Sequence, residues 1–133
     1  MIRICLDTSA YSQFRRGHPP AVEAISSARW IGVSSIVLGE LRTGFRLGRR
    51  KDRNEEELRE FLDESVVHML SVDDAASVHY ADIVAALRRR GTPLPTNDIW
   101  IASVAAREGA SVITYDAHFH AIERVASVVF AAA

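Results

Sequence analysis

A single cysteine, Cys5, excludes any internal disulfide. It sits in an apolar stretch, where a buried and unreactive thiol is the ordinary outcome and a reducing cytoplasm the fitting compartment. No segment approaches the ~20 consecutive apolar residues that a membrane span needs. The opening MIRICLDTSAY has only a short apolar stretch, ended by an acid, and does not read as an export signal. Lysine is nearly absent: Lys51 is alone among sixteen basic residues, the other fifteen being arginine. A surplus of charge is lacking too, and a net −1 gives no sign of a nucleic-acid partner. Repeats and low-complexity tracts are missing. What is present, 48% hydrophobic and 25% charged residues in 133, is the make-up of one globular domain spanning 1–133 with a single sizeable core.

The charge is unevenly distributed. Residues 42–53 carry six bases and one acid, residues 54–65 six acids and one base, and Arg88-Arg89-Arg90 form a second basic knot. Such runs are ordinarily solvated helix faces. Arg42, Arg46, Arg49 and Arg50 are nonetheless the residues best placed to grip a phosphate or dock a partner.

Ile2–Leu6 alternates as a short buried strand, and DTSA offers a cap for a helix through about Arg16, stopped by Gly17. Pro19 and Pro20 open a second helix to about Ala28. WIGVS reads as a strand, followed by a helix from Ser35 to Arg50 and another over NEEELREFLDE. SVDDAASVHYADIVAALRRRG is a strongly amphipathic helix with Gly91 at its end. A further helix begins near Thr96, read as its N-cap, and ends before Gly109. SVIT and the SVVF near the end are strands. Strands alternating with helices over one domain imply an α/β fold with a mostly parallel central sheet covered on both sides.

That architecture gives a direction to the acids. Helices that follow strands start at the carboxyl edge of the sheet, where such folds place their sites. Asp7 ends the first strand, Asp116 lies just beyond SVIT, and Asp98 begins its helix at LPTNDIWIA, facing the same edge if the chain before it returns there. Glu40 lies five residues into the helix after WIGVS, on the margin of the apolar stripe and one turn from the small Gly44. Each acid has a plainer alternative: Asp7 as an N-cap, Asp98 as an acid tuning a helix start, Asp116 as a turn residue, Glu40 as an exposed helical side chain. Four acids aimed at one edge are harder to dismiss than any one.

Two carboxylates ~5 Å apart repel by about 3 kcal/mol at an effective dielectric of ~20. A divalent cation relieves this at neutral pH while keeping every oxygen as a ligand. With neither cysteine nor histidine in the set, Mg²⁺ or Mn²⁺ is favoured over zinc. His118 and His120 flank Phe119 without the partners a zinc site needs. Carboxylate-held magnesium at a sheet edge commonly serves phosphoryl chemistry. Ser9, Asn97 and Thr114 are suitably placed to orient ligands or water, or are ordinary cap and strand-end residues.

LDTSAY, SSIVLGELRTG and GTPLPTNDIWIASVAAREGASVITYDAHF resemble, in order and over nearly the whole chain, the successive motifs of PIN-domain ribonucleases, in particular the VapC toxins of bacterial toxin–antitoxin pairs. The PTNDxWIA and TYDxHF portions are the most specific. The resemblance implies a PIN-like three-layer α/β/α sandwich with its acidic site at Asp7, Glu40, Asp98 and Asp116, and Thr114 as neighbouring hydroxyl. It implies a Mg²⁺-dependent endoribonuclease, commonly a homodimer, acting on RNA and silenced by a VapB-type antitoxin. Two alternatives stay open: a housekeeping RNA-processing nuclease of the same fold, and a noncatalytic metal-binding or interaction domain. A receiver-like domain needs a lysine near its last strands, and a haloacid-dehalogenase-like phosphatase needs DxD; neither feature is present.

Overall fold

The structure, a computed structural model, describes residues 3–131; the expected strand residue Ile2 lies outside them. Along the chain run β1 (Arg3–Leu6), α1 (Thr8–Arg15), α2 (Pro19–Ser27), β2 (Trp30–Ser34), α3 (Ser35–Leu47), α4 (Lys51–Leu62), β3 (Val67–Leu70), α5 (Asp74–Arg89), α6 (Thr96–Glu108), β4 (Ser111–Thr114), a 3-10 turn (Ala117–Ala121) and β5 (Ser127–Val129). The five strands form one sheet in the order β3-β2-β1-β4-β5, and every pairing in it is parallel. Right-handed crossovers then place α1 to α4 on one face and α5 and α6 on the other, the expected three layers.

Local chemistry explains most of the boundaries. Asp7 caps α1 by accepting from the Ala10 N–H, Ser34 caps α3 at the Val37 N–H, and Asp73 caps α5 at the Ala76 N–H. Gly17, Gly91 and Gly109 all take positive φ, of which Gly109 (φ 63°) closes α6 in the left-handed conformation that glycine adopts without strain. The sheet is buried on both faces. Ile4, Leu6, Ile31, Val33, Val112 and Ile113 are almost wholly covered, with Leu58 and Phe61 packed from one layer and Ile83, Leu87 and Val104 from the other. No helix among the described residues is long and apolar enough to cross a membrane.

Three boundaries differ from those read in the sequence. Helix α3 stops at Leu47, where the Gly48 N–H turns back to Phe45 O, and α4 starts at Lys51 instead of Asn54. Thr96 is the first helical residue and not the cap: Pro95 takes that place, and no side chain caps the end. Val67–Leu70 is a strand that the sequence did not announce. It lies at the sheet margin with His68 and Met69 exposed, so its apolar residues neither alternate nor run on.

The pairing of α5 with α6 positions the site. Arg107, in the last turn of α6, bonds Asp73 Oδ1 (2.8 Å) and Ser71 O (2.7 Å) at the start of α5. The two helices are therefore antiparallel, joined through the short segment 90–95. This hairpin returns the start of α6 to the carboxyl edge of the sheet.

Gly32 marks the tightest point of that sheet, between β1 and β3. A Cβ there would meet Leu70 Cδ1 at 2.6 Å, Cys5 Sγ at 2.9 Å and the Trp30 ring at 2.9 Å. Gly32→Ala is expected to destabilise the fold by about 1–3 kcal/mol, as overpacking does. Urea unfolding checks this, and an unchanged midpoint would contradict the packing described.

Candidate active site

Asp7 follows β1 directly and is buried, 4% exposed. Its Oδ1 accepts from the Ala10 N–H (2.9 Å) and the Ser9 hydroxyl (2.7 Å), and its Oδ2 from the Thr114 hydroxyl. Thr114 ends β4, is fully buried, and its oxygen accepts in turn from the Asp116 N–H at 2.8 Å. The Ser9 oxygen likewise accepts from the Tyr115 N–H at 2.9 Å. Two hydroxyls thus tie the ends of neighbouring strands together, and every carboxylate oxygen of Asp7 is aimed by a donor.

Asp116 caps the 3-10 turn, its Oδ1 accepting from the His118 N–H at 2.9 Å. Asp98, in the first turn of α6, reaches the same spot from the other layer. A carboxylate oxygen of Asp98 lies within 4.8 Å of one of Asp116. The His118 ring faces both, Nδ1 lying 3.0 Å from Asp116 Oδ1 and 3.4 Å from Asp98 Oδ2. Glu40 stands at the margin, Oε1 accepting from the Thr8 hydroxyl (2.6 Å) and Oε2 from Asn97 Nδ2 (3.1 Å). It is thereby linked to the residue after Asp7 and the residue before Asp98.

Asp7, Asp98 and Asp116 therefore converge, Glu40 is tethered beside them, and the hydroxyls of Thr114 and Ser9 and the amide of Asn97 orient two of the four carboxylates, Asp7 and Glu40. The plainer roles hold as well: Asp7 and Asp116 do cap their helices. Gly44 is exposed, and a Cβ there would meet nothing within 4 Å, so the space beside Glu40 does not depend on it. Thr8 and His118 were not singled out for this edge in the sequence. Thr8 lies inside the LDTS motif, and the spacing of His118 from Asp116 is the signal that would have found it.

Of the arginines expected to meet RNA or a partner, Arg42 is committed elsewhere. It forms a two-pronged ion pair with Glu55 (3.0–3.2 Å) that clamps α3 to α4. Arg46 bonds back to Arg42 O, and Arg49 and Arg50 are exposed. Arg50 joins Arg15, Arg16 and Arg53 around a groove of about 320 Å³ floored by Tyr11, Leu41 and Phe45. The basic run and the first helix meet there, a convergence that only the fold reveals.

Burial raises Asp7 above the usual carboxylate range, against the pull of its bonds from Thr114, Ala10 and Ser9. Asp98 is pushed up to about 6, first by burial and then by the Asp116 carboxylate, with His118 opposing. The donor set is oxygen-rich and partly open to solvent. These are the properties of a site for a hard divalent cation.

Residues 4–125 match the PIN domain family. The chain belongs to that family. Ribonuclease VapC5 of Mycobacterium tuberculosis is 32% identical over 123 residues, covering 92% of this chain and 90% of its own length. Ribonuclease VapC2 of Rickettsia felis is 29% identical over 113 residues, covering 82% and 83%. Among solved structures, VapBC2 from Rickettsia felis bound to a promoter DNA fragment superposes with a TM-score of 0.82 at 26% identity, covering 97% of this chain and 98% of that one. DNA-bound VapBC from Salmonella typhimurium gives 0.81 at 28% identity with the same coverage. Recognition of the VapC group within the PIN fold, made above on motifs, is thus supported across nearly the full chain.

A raised acid has a definite consequence for metal-free stability. The folded state binds the Asp98 proton more tightly than the unfolded state, so the charge weakens the fold above pH 6. That loss is relieved as pH falls from about 6 toward 3.8. In EDTA, Asp98→Asn is expected to be more stable than wild type at pH 7.5 by about 1–2 kcal/mol, below the roughly 3 kcal/mol ceiling of a two-unit shift because the group is partly solvated. The gap should narrow to roughly half at pH 5 and close only near 3.8. Urea titrations at both pH values check this; a variant less stable than wild type at pH 7.5 would make Asp98 a plain helix-end acid.

Proposed function

We propose that the protein is a divalent-cation-dependent endoribonuclease, the toxin of a VapBC-type pair, active as a homodimer and silenced by a VapB-type antitoxin. The observation that carries this reading is the convergence of Asp7, Asp98 and Asp116 at one sheet edge, with two of the three raised in pKa. Asp98 and Asp116 would hold Mg²⁺, or Mn²⁺ in its place, with Asp7 beneath them and Glu40 at the rim. When bound, the ion neutralises the scissile phosphate and lowers the pKa of an attacking water.

The chain's own groups prepare the rest. The Thr114 hydroxyl fixes Asp7 and receives the Asp116 N–H, so both carboxylates stay aimed as substrate arrives. Ser9 repeats this from α1, and Asn97 and Thr8 hold Glu40 toward the site. The Ser9, Thr114 and Thr8 hydroxyls are engaged in holding Asp7 and Glu40, and the chemistry we infer is direct hydrolysis of the phosphodiester by water. Single-stranded RNA loops, whose backbone bends freely into a cleft, are the substrates that suit it.

The groove between α1, α3 and α4 bears on regulation. Tyr11, Leu41 and Phe45 line it with four arginines and Glu57, and Leu41 is the residue after Glu40. An antitoxin tail seated there as an amphipathic segment has a short path to the acids, where an arginine would pair with Asp98 or Asp7 in place of the cation. The relatives' names, ribonuclease VapC and the VapBC complexes, support the same reading.

Purified protein is expected to cut RNA internally in Mg²⁺ or Mn²⁺, to stop in excess EDTA, and to resume when metal is restored. Asp98→Asn should lose about a hundredfold or more in rate, roughly 3 kcal/mol of barrier. Undiminished cleavage in EDTA would contradict the mechanism. Expressed alone, wild type should arrest growth, Asp98→Asn should not, and co-expression of its VapB-type partner should restore growth through a stable complex. A soluble, RNA-cleaving protein that is harmless to the cell would instead favour the RNA-processing reading.

A further inference from the structure

His118 stands against both Asp98 and Asp116. One donor atom from each of Asp98, Asp116 and His118 lies within 4.8 Å of the other two. Adjacent ligands of an octahedral ion with ~2.1 Å bonds stand ~3 Å apart, and the His118 Nδ1 to Asp116 Oδ1 separation is 3.0 Å. The side chain is 54% exposed, so close packing does not force the ring inward. The backbone places it instead: the His118 N–H is bonded to Asp116 Oδ1, and Phe119, fully buried, anchors the next residue. Among the described residues, the polar partners of the ring are those two carboxylates.

We propose that His118 is a donor to the cation site through Nδ1, and that it shifts the preference of the site from Mg²⁺ toward Mn²⁺ and later divalent ions. The inference rests on the cation site proposed above and deepens it. An all-oxygen set suits Mg²⁺, whereas an imidazole beside two carboxylates is a ligand that Mg²⁺ takes poorly and transition ions take readily. A ring that binds the ion through Nδ1 carries its proton on Nε2. The imidazole therefore acts on the choice of ion, while the carboxylates supply the charge.

The test is pulsed EPR on untagged protein loaded with one equivalent of Mn²⁺. Wild type is expected to show ¹⁴N modulation from a coordinated imidazole, replaced by the ¹⁵N pattern when histidine alone is ¹⁵N-labelled. In His118→Ala the modulation should vanish while Mn²⁺ stays bound through the acids. The ratio of Mn²⁺ to Mg²⁺ affinity, measured by competition, should fall at least about tenfold, the lower end of what loss of a contact to a metal shell costs. Mn²⁺ bound without nitrogen coupling, or coupling that survives in His118→Ala, would overturn the role of His118 and leave the acidic site standing. No Mn²⁺ binding at all would overturn the cation site itself, and this inference with it.

Discussion

Mutual repulsion between carboxylates brought to one end of the sheet is the constraint on which the site depends. At a separation of ~5 Å and an effective dielectric of ~20, one ionised pair costs about 3 kcal/mol, a large share of the 5–15 kcal/mol by which domains are typically stable. A chain that accepts such a cost must hold the acids rigidly, or they would turn to solvent and the repulsion would disappear. The hydroxyls of Thr114 and Ser9 do this holding for Asp7. Each bonds Asp7 on one side and a backbone N–H of the β4 exit on the other, so Asp7 cannot swing away from Asp116 without breaking those bonds.

The rest of the fold serves this arrangement. Central strands β1 and β4 lie side by side in parallel register, Leu6 opposite Ile113, which puts Asp7 level with Thr114 and Asp116 just beyond it. The α5/α6 hairpin, held by Arg107 against Asp73 and Ser71, brings Asp98 to them from the other layer. Helix α3, clamped to α4 by Arg42 and Glu55, sets Glu40 beside Thr8 and Asn97. The same two helices, α3 and α4, supply Leu41, Phe45, Arg50 and Arg53 to the groove against α1.

Much of this was readable in the sequence where the signals are local. The alternation around Cys5, the cap at Asp7, the glycines closing helices, and acids just past strand ends all report on a few neighbouring residues. What escaped depends on partners distant in the chain. The long-range pair with Glu55 decides the fate of Arg42, and nothing in the basic run foretells it. Strand β3 exists because β2 pairs with it, though His68 and Met69 face outward. The two-residue spacing sets His118 against Asp116, its nearer partner at 3.0 Å, whereas Asp98, at 3.4 Å, is brought in by a different helix.

The central claim is that the edge where Asp7, Asp98 and Asp116 meet is a divalent-cation site. Anomalous scattering from a crystal equilibrated with Mn²⁺ tests it most directly. The account predicts a manganese peak within about 2.5 Å of carboxylate oxygens of both Asp98 and Asp116, with Asp7 beneath it. Saturating Mn²⁺ that leaves this edge without a peak, or binds only elsewhere on the surface, would contradict it.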